Sequence, residues 1–217
     1  MKILKTIGLA SALMAGTAFS YQASAVTVNF ADPSWAVGGS TSSTSQSLGG
    51  VTVTVSSLPT GTSLTWATHD GFGVTKSGDT PGNEDEINHR GDGINEQLLV
   101  SFGQAVNVTS LRLSDFFTDT SGQHQTPSDD IAEISYNGGG SFASFIATQS
   151  NAGDPYTDIA SSASGITSIL FQSGNPDIGS GYSIAGLDFN VAPVPLPPAV
   201  WLLGSAMVFL FRKRQDS

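Results

Sequence analysis

Two kinds of residue are missing or rare in this chain, and each narrows what the protein can be. There is no cysteine, so neither a disulfide bond nor a thiolate metal site can stabilise the fold. Basic residues are scarce between residues 26 and 191, where only Lys76, Arg90 and Arg112 occur. The same segment contains every acidic residue of the chain except Asp216. A segment this acidic repels phosphate backbones and anionic lipid headgroups, which disfavours nucleic-acid binding. It suits divalent cations or neutral glycans, unless the charge serves solubility alone.

The first 25 residues have the three parts of a secretory signal peptide. Lys2 and Lys5 give a positively charged start, a mostly apolar stretch follows, and Ala23 and Ala25 frame a small-x-small cleavage site. The alternative is a buried N-terminal helix, but the apolar stretch is not amphipathic and ends in that cleavage-type triplet. We therefore expect signal peptidase to remove residues 1–25 during export.

The C-terminal end combines three short segments. Residues 192–198 are rich in proline, residues 199–211 are apolar, and residues 212–217 begin with a basic cluster. The apolar run is shorter than the ~20 residues that span a bilayer comfortably, yet snorkelling basic side chains would let it cross as a short transmembrane helix. A buried core helix would explain neither the prolines nor the basic cluster, which predicts a cytoplasmic tail and an exported domain. The residues of this pattern are Val194, Pro195, Leu196, Pro197, Pro198, Trp201, Gly204, Arg212, Lys213 and Arg214.

This proline motif, short apolar helix and basic end resemble the PEP-CTERM sorting signal of exported proteins in Gram-negative bacteria. The similarity covers residues 193–214 and is closest to the Val-Pro-Leu-Pro variant, with Leu196 where the family name has Glu. The resemblance implies recognition by an exosortase, a membrane-embedded enzyme similar to cysteine transpeptidases. It further implies passage through the inner membrane, removal of the tail and delivery to the cell surface or extracellular matrix, with exopolysaccharide as a partner.

The segment from residue 26 to 191 shows the two-residue alternation of half-buried β-strands. Val51, Val53 and Val55 alternate with Thr and Ser, and similar runs are bounded by Gly, Asn, Asp or Pro. We expect roughly eight to ten strands in an antiparallel, jelly-roll-like β-sandwich, with residues 38–50 as a low-complexity loop or edge. The other predicted strands fall near residues 98–102, 106–113, 131–136, 142–145, 166–171 and 184–189.

An acidic loop over residues 76–95 is the most suggestive candidate for a metal site. Flexible Gly-rich loops let carboxylate and amide oxygens converge, and calcium takes six to eight such ligands. The spacing does not match an EF-hand, and a solvated loop without any ion is the alternative. The candidate calcium ligands are Asp79, Asp85, Glu86, Asp92 and Glu96.

The pattern of histidines and serines does not favour an enzyme. His69, His89 and His124 are too far apart for a zinc motif such as His-x-x-x-His, and no Gly-x-Ser-x-Gly nucleophile elbow is present. Paired carboxylates for glycoside hydrolysis exist in any sequence this acidic, so they carry no weight. We therefore expect no catalytic site, and a secreted hydrolase is a distant alternative.

Aromatic residues provide the candidates for sugar binding, because exposed rings stack on sugars in β-sandwich binding modules. Trp35, beside a Gly-Gly turn, and Trp66, in a short alternating run, are the ligand-binding candidates, although aromatic residues on strands are usually core. Phe116, Tyr156 and Tyr182 are further candidates.

Taken together, the sequence predicts an exported surface or extracellular-matrix protein with a structural or adhesive role. It is expected to pass through an intermediate held in the inner membrane before its release. The alternative is a carbohydrate-binding module whose acidic loop is stabilised by calcium.

Overall fold

Antiparallel β-strands make up nearly all of the regular structure. The computed structural model describes residues 24–38, 41–76, 86–88, 95–118, 129–148, 156–174 and 181–191. A short 3-10 helix, Pro33–Trp35, lies among the strands. The strands are β1 (Ala25–Asn29), β2 (Ser43–Leu48), β3 (Val51–Leu58), β4 (Thr62–Ala67), β5 (Gly71–Lys76), β6 (Ile87–Asn88), β7 (Gln97–Ser114), β8 (Ile131–Tyr136), β9 (Ala143–Ile146), β10 (Tyr156–Ser173) and β11 (Gly181–Val191).

Strand β3 shows how the two-residue alternation produces the sheet. Val51, Val53 and Val55 are buried, whereas Thr52 between them is exposed. Successive side chains of a strand point to opposite faces, so the valines share the core face. Strand β2 pairs with β3 and carries Ser, Thr and Gln, which fits the edge predicted within residues 38–50.

Two long strands, β7 and β10, are the central strands of the sheet. The runs near 98–102 and 106–113, which we predicted as separate strands, are the two halves of β7. The first half pairs with β3 and the second half with β11, while β10 follows both halves. The β7–β10 pairing shifts register between Ala160 and Ser168. Such irregularities bend a strand, which lets one strand contribute to two arms of the sheet.

Strand β11 is the hub of the fold. It pairs with β7 on one side and with β1, β5 and β6 on the other. Its residues from Gly181 to Leu187 are all buried. Two contacts connect it to the other arm of the sheet: Tyr182 Oη donates to Gln172 O at 2.8 Å, and the Phe189 ring meets Phe102 edge to face at 5.4 Å.

The predicted all-β, antiparallel class is confirmed. The main path of the sheet runs β4-β5-β11-β7-β10-β8-β9. All described strands lie in the compact unit Ser24–Ala192, and the second unit, residues 1–23 and 193–217, lies outside the described ranges. The predicted signal peptide, proline linker, transmembrane helix and basic tail fall on that second unit, apart from residues 24, 25 and 192. Among the described residues, no helix has the length and hydrophobicity needed to cross a bilayer.

Candidate functional site

Polar side chains gather where β6 meets the start of β11. Glu96 is fully buried, and its Oε2 accepts a hydrogen bond from Asn88 N at 3.2 Å. Glu96 N donates to Asn88 O at 3.1 Å, so the two residues hold each other across the acidic segment. Glu86, Asn88 and Glu96 are also engaged in further polar interactions. A buried carboxylate requires such partners, because burial penalises its charge.

Gly181 provides the space in which these oxygens face the backbone of β11. A Cβ added there would collide with Asn88 Oδ1 and would lie 2.7 Å from Glu86 Oε2. Asn95 Oδ1 is buried nearby in the chain and accepts no hydrogen bond from the described residues. We call Glu86, Asn88 and Glu96 the β6 cluster.

The structure describes two of the five predicted calcium ligands. The structure brings Glu86 and Glu96 into one cluster, whereas Asp79, Asp85 and Asp92 lie outside the described residues. Within the described ranges, no three acidic or histidine side chains are grouped closely enough to hold a metal ion. The amide oxygen of Asn88 lies beside the Glu86 carboxylate and adds an oxygen that the predicted set of carboxylate ligands did not include.

Trp35 belongs to the core. Its side chain is 2 % exposed, and its ring lies 5.1 Å from that of Phe30 and 5.9 Å from that of Phe72, both edge to face. This burial leaves Trp35 no open ring face on which a sugar could stack, contrary to our expectation. The Pro33–Trp35 turn directs the ring inward, an effect of chain geometry that the neighbouring Gly-Gly pair did not reveal.

Trp66 is partly buried and packs against the core. Its Nε1 donates to Phe30 O at 2.7 Å, which fixes the ring in place. Phe116 and Tyr182 are buried core residues in edge-to-face contact at 5.8 Å. Of the aromatic candidates, Tyr156 is the one that lies beside exposed charged groups.

An exposed ion pair on β7 and β10 flanks Tyr156. Arg112 and Asp158 are cross-strand partners, with Nε to Oδ1 at 2.8 Å and Nη2 to Oδ2 at 3.2 Å. The Arg112 guanidinium also lies 5.7 Å from the centre of the Tyr156 ring. Tyr156 Oη donates to His69 O at 2.7 Å, so the phenol is fixed at both its face and its tip.

Arg112 and Asp158 border a shallow depression that we call the β7–β10 groove. Its volume is about 20 Å³, room for roughly one water molecule, and Tyr156 lies beside it rather than in its lining. Hydrogen bonding to Asp158 raises the pKa of Arg112 further above its ordinary value, and Asp188 contributes in the same direction. The groove thus offers a fixed cation, carboxylate oxygens and hydroxyls, which suit the hydrogen-bonding pattern of a polyol. The groove is lined by Thr27, Val28, Ser110, Arg112, Asp158, Gly186, Leu187 and Asp188.

Tyr156 is an aromatic candidate from the sequence, whereas the sequence does not show that Arg112 is its neighbour. One signal was available: Arg112 is one of three basic residues between residues 26 and 191. Among the histidines, His69 contributes its carbonyl to Tyr156, while His89 and His124 lie outside the described residues.

The sequence-predicted processing sites frame the domain. Ala25 is the first residue of β1 and pairs with Asn190 in β11, which ends at Val191. Ala23 and the sorting residues from Val194 to Arg214 lie outside the described residues.

Comparison of the chain with protein-family models, with curated proteins and with solved structures finds no match. Support for a function therefore comes from the residues and geometry of this chain and from the resemblance of its C-terminal segment to the PEP-CTERM sorting signal.

Proposed function

We propose that this chain is an exported protein of the PEP-CTERM type. Signal peptidase releases its N-terminus, the C-terminal segment holds it in the inner membrane, and an exosortase-type enzyme then removes that segment. The mature domain goes to the cell surface or extracellular matrix and has a structural or adhesive role, without enzymatic activity, beside exopolysaccharide.

The observation that carries this proposal is where the strands begin and end. Strand β1 starts at Ala25, at the predicted cleavage site, and β11 ends at Val191, just before the prolines. Both end segments can therefore be removed without loss of any strand that the structure describes. Cleavage after Ala25 removes only the first residue of β1, which is exposed.

Mass spectrometry of the mature protein from surface and medium fractions tests the processing. We expect an N-terminus at Val26 and a C-terminus that lacks residues 201–217. Deletion of residues 201–217 should divert the protein to the periplasm or medium. The matched control deletes residues 215–217 and keeps the basic cluster, so its destination should not change. Surface protein that retains residues 201–217 would contradict the proposed processing.

We further propose that the two arms of the sheet pack face to face as a β-sandwich. The Tyr182–Gln172 hydrogen bond and the Phe102–Phe189 ring contact support this arrangement, since each connects one arm with the other. Side chains from the inner faces of two sheets meet in this way in β-sandwiches.

The exposed Arg112–Asp158 pair and the Tyr156 ring beside it favour a second candidate function, carbohydrate binding, in which calcium at the acidic loop would stiffen the domain. Tyr156 offers a fixed ring, and Arg112 and Asp158 offer charged hydrogen-bonding groups beside it. Because these groups already hold one another, little conformational freedom is lost when a ligand binds.

Affinity electrophoresis through purified exopolysaccharide of the producing cells tests this candidate. Tyr156→Ala should abolish retardation of the mature domain, whereas Tyr156→Phe, which keeps the ring, should retain most of it. Equal migration of the wild type with and without polysaccharide would reject glycan binding but leave the sorting proposal intact.

A further inference from the structure

Both ends of the domain leave the sheet at the same place. Ala25 pairs with Asn190, so the first residue of β1 lies beside the last residues of β11. Asn190 also pairs with Asn107, whose Oδ1 accepts a hydrogen bond from Gly165 N at 3.1 Å. We call this side of the domain the terminal end.

Several turns share the terminal end. Gly49, in the β2–β3 hairpin, lies against the side chain of Val26. Asn137, in the turn after β8, donates through Nδ2 to Gly165 O at 3.3 Å. The bend of β7 at residues 103–105 lies between Phe102, which pairs with Val53, and Val106, which pairs with Val191.

The turns of the terminal end carry no ionisable side chain. Residues 49–50, 103–105, 137–142 and 164–165 consist of Gly, Ser, Asn, Gln, Ala and Phe. Asp188, two residues before Asn190 in β11, is the nearest acid along that strand. A neutral surface of this kind meets no electrostatic penalty near an anionic bilayer.

The opposite side, which we call the loop end, carries several of the acids that the structure describes. Gly181 at the start of β11 pairs with Asn88, next to Glu86 and Glu96. Asp115 follows β7, and Asp129 and Asp130 precede β8, at the same side of the sheet.

We infer that the terminal end is the surface that faces the anionic inner membrane, while the loop end points away from it. The inference rests on the proposed function, because it concerns the intermediate that the C-terminal segment holds in the bilayer. It goes beyond that function by assigning a membrane-facing surface and by placing the β6 cluster on the outward side.

Distances support this orientation. Residues 192–198 separate β11 from the apolar run, and even a fully extended connection of this length reaches at most about 28 Å. Strand β11 rises by about 34 Å from Gly181 to Val191, so the loop end lies several Debye lengths of about 8 Å beyond the terminal end. The opposite orientation would bring the acidic residues into the negative potential of the headgroups.

Energy transfer to labelled lipid tests the orientation, because the chain has no cysteine of its own. Ser141→Cys places a dye at the terminal end and Thr148→Cys places one at the loop end, both at exposed positions. The chain that retains its C-terminal segment is reconstituted in vesicles of phosphatidylethanolamine and phosphatidylglycerol with acceptor-labelled headgroups. We expect several-fold greater transfer from residue 141 than from residue 148.

If the chain floats with the vesicles but energy transfer is equal from the two positions, or greater from residue 148, the inference is overturned. Failure of the chain to float with vesicles would instead overturn both the inference and the proposed membrane intermediate. The two failures are therefore distinguishable in one preparation.

A charge substitution tests the electrostatic cause. Gln104 is exposed at the bend of β7, and Gln104→Glu adds a charge with almost no change in volume. With the dye at residue 141, this change should shift the orientational equilibrium about threefold away from the bilayer, the effect of one charge within a Debye length. Thr148→Glu is the matched control and should have no effect. The Gln104→Glu effect should vanish in neutral phosphatidylcholine vesicles, and its persistence there would refute the electrostatic explanation.

Discussion

Strand β1 pairs with residues 186–190 of β11, and Gly186 makes this approach possible. A Cβ at residue 186 would lie well inside van der Waals contact with the carbonyl oxygen of Val28. That oxygen belongs to the backbone of β1, so it cannot rotate away as a flexible side chain would. Gly186→Ala should therefore push β1 away from β11.

The magnitude has a lower and an upper limit. Forcing an extra methyl group into a packed site typically costs about 1–3 kcal/mol. The cost cannot exceed that of releasing β1 altogether, which exposes Val28, now 1 % exposed, at about 1.5–3 kcal/mol, and breaks several ladder hydrogen bonds. We expect a loss of about 2 kcal/mol, or roughly 4–8 °C in Tm for a domain of this size.

Thermal and urea unfolding of the mature domain measure this loss, and a cysteine pair reports its cause. Thr27 and Asp188 are register partners that line the same groove, so Thr27→Cys with Asp188→Cys should form a disulfide when β1 is docked. Gly186→Ala should slow formation of that disulfide.

The matched control is Gly140→Ala. No atom lies within 4 Å of a Cβ built at Gly140, so its Tm should stay within about 1 °C of wild type, as expected for a neutral surface change. A wild-type Tm for Gly186→Ala, or an equal loss in the control, would refute the close approach of β1.

Three further predictions concern the remaining sites. The second candidate function includes a calcium ion at the acidic loop, so millimolar calcium should raise the Tm of the mature domain by several degrees relative to the same protein in chelator. Glu86→Gln should reduce this shift. Equal Tm values with calcium and with chelator would show that the loop binds no calcium. Burial raises the pKa of Tyr182 well above its ordinary value. The stability contributed by its neutral phenol is therefore complete below about pH 10 and is lost as the pH rises toward the folded pKa. Tyr182→Phe removes the hydrogen bond and should lower the free energy of unfolding by about 1 kcal/mol near neutral pH. In urea titrations at alkaline pH, this variant should lose less stability with rising pH than the wild type. An equal loss in both proteins would contradict the assignment. Arg112→Ala should cost less than about 1 kcal/mol, because both partners of its ion pair are about half exposed; a larger loss in denaturant melts would show that the pair is structural.

Strand positions were largely predictable, because a β-strand imposes a period of two on burial. The alternating valines of β3 and the run near residues 131–136 show this directly, since both lie in strands of the structure. The length of β7 was not predictable, because its bend near residue 103 interrupts the alternation without ending the strand. Strand β1 is short and follows the signal segment, so its pattern gave no separate indication.

The candidate site was less predictable than the strands. Trp35 has the sequence surroundings of a surface turn, yet its ring fills space beside Phe72 that chain folding creates. Arg112 and Tyr156 are far apart in sequence, and the pairing of β7 with β10 brings them together. Composition alone identifies such residues as available, but it does not identify their neighbours.

The sequence by itself determined the all-β class, the acidic character of the domain and the predicted boundaries of its two end segments. These properties depend on local alternation, on charge and on short motifs, all of which can be read within a few residues. The tertiary structure decided that β1 pairs with β11, which brings Ala25 beside Asn190 at one side of the domain, and that described acids such as Glu86, Glu96 and Asp115 lie at the other side. Those features depend on which distant strands exchange hydrogen bonds, and every strand offers the same backbone donors and acceptors, so the choice is made by packing of the whole core.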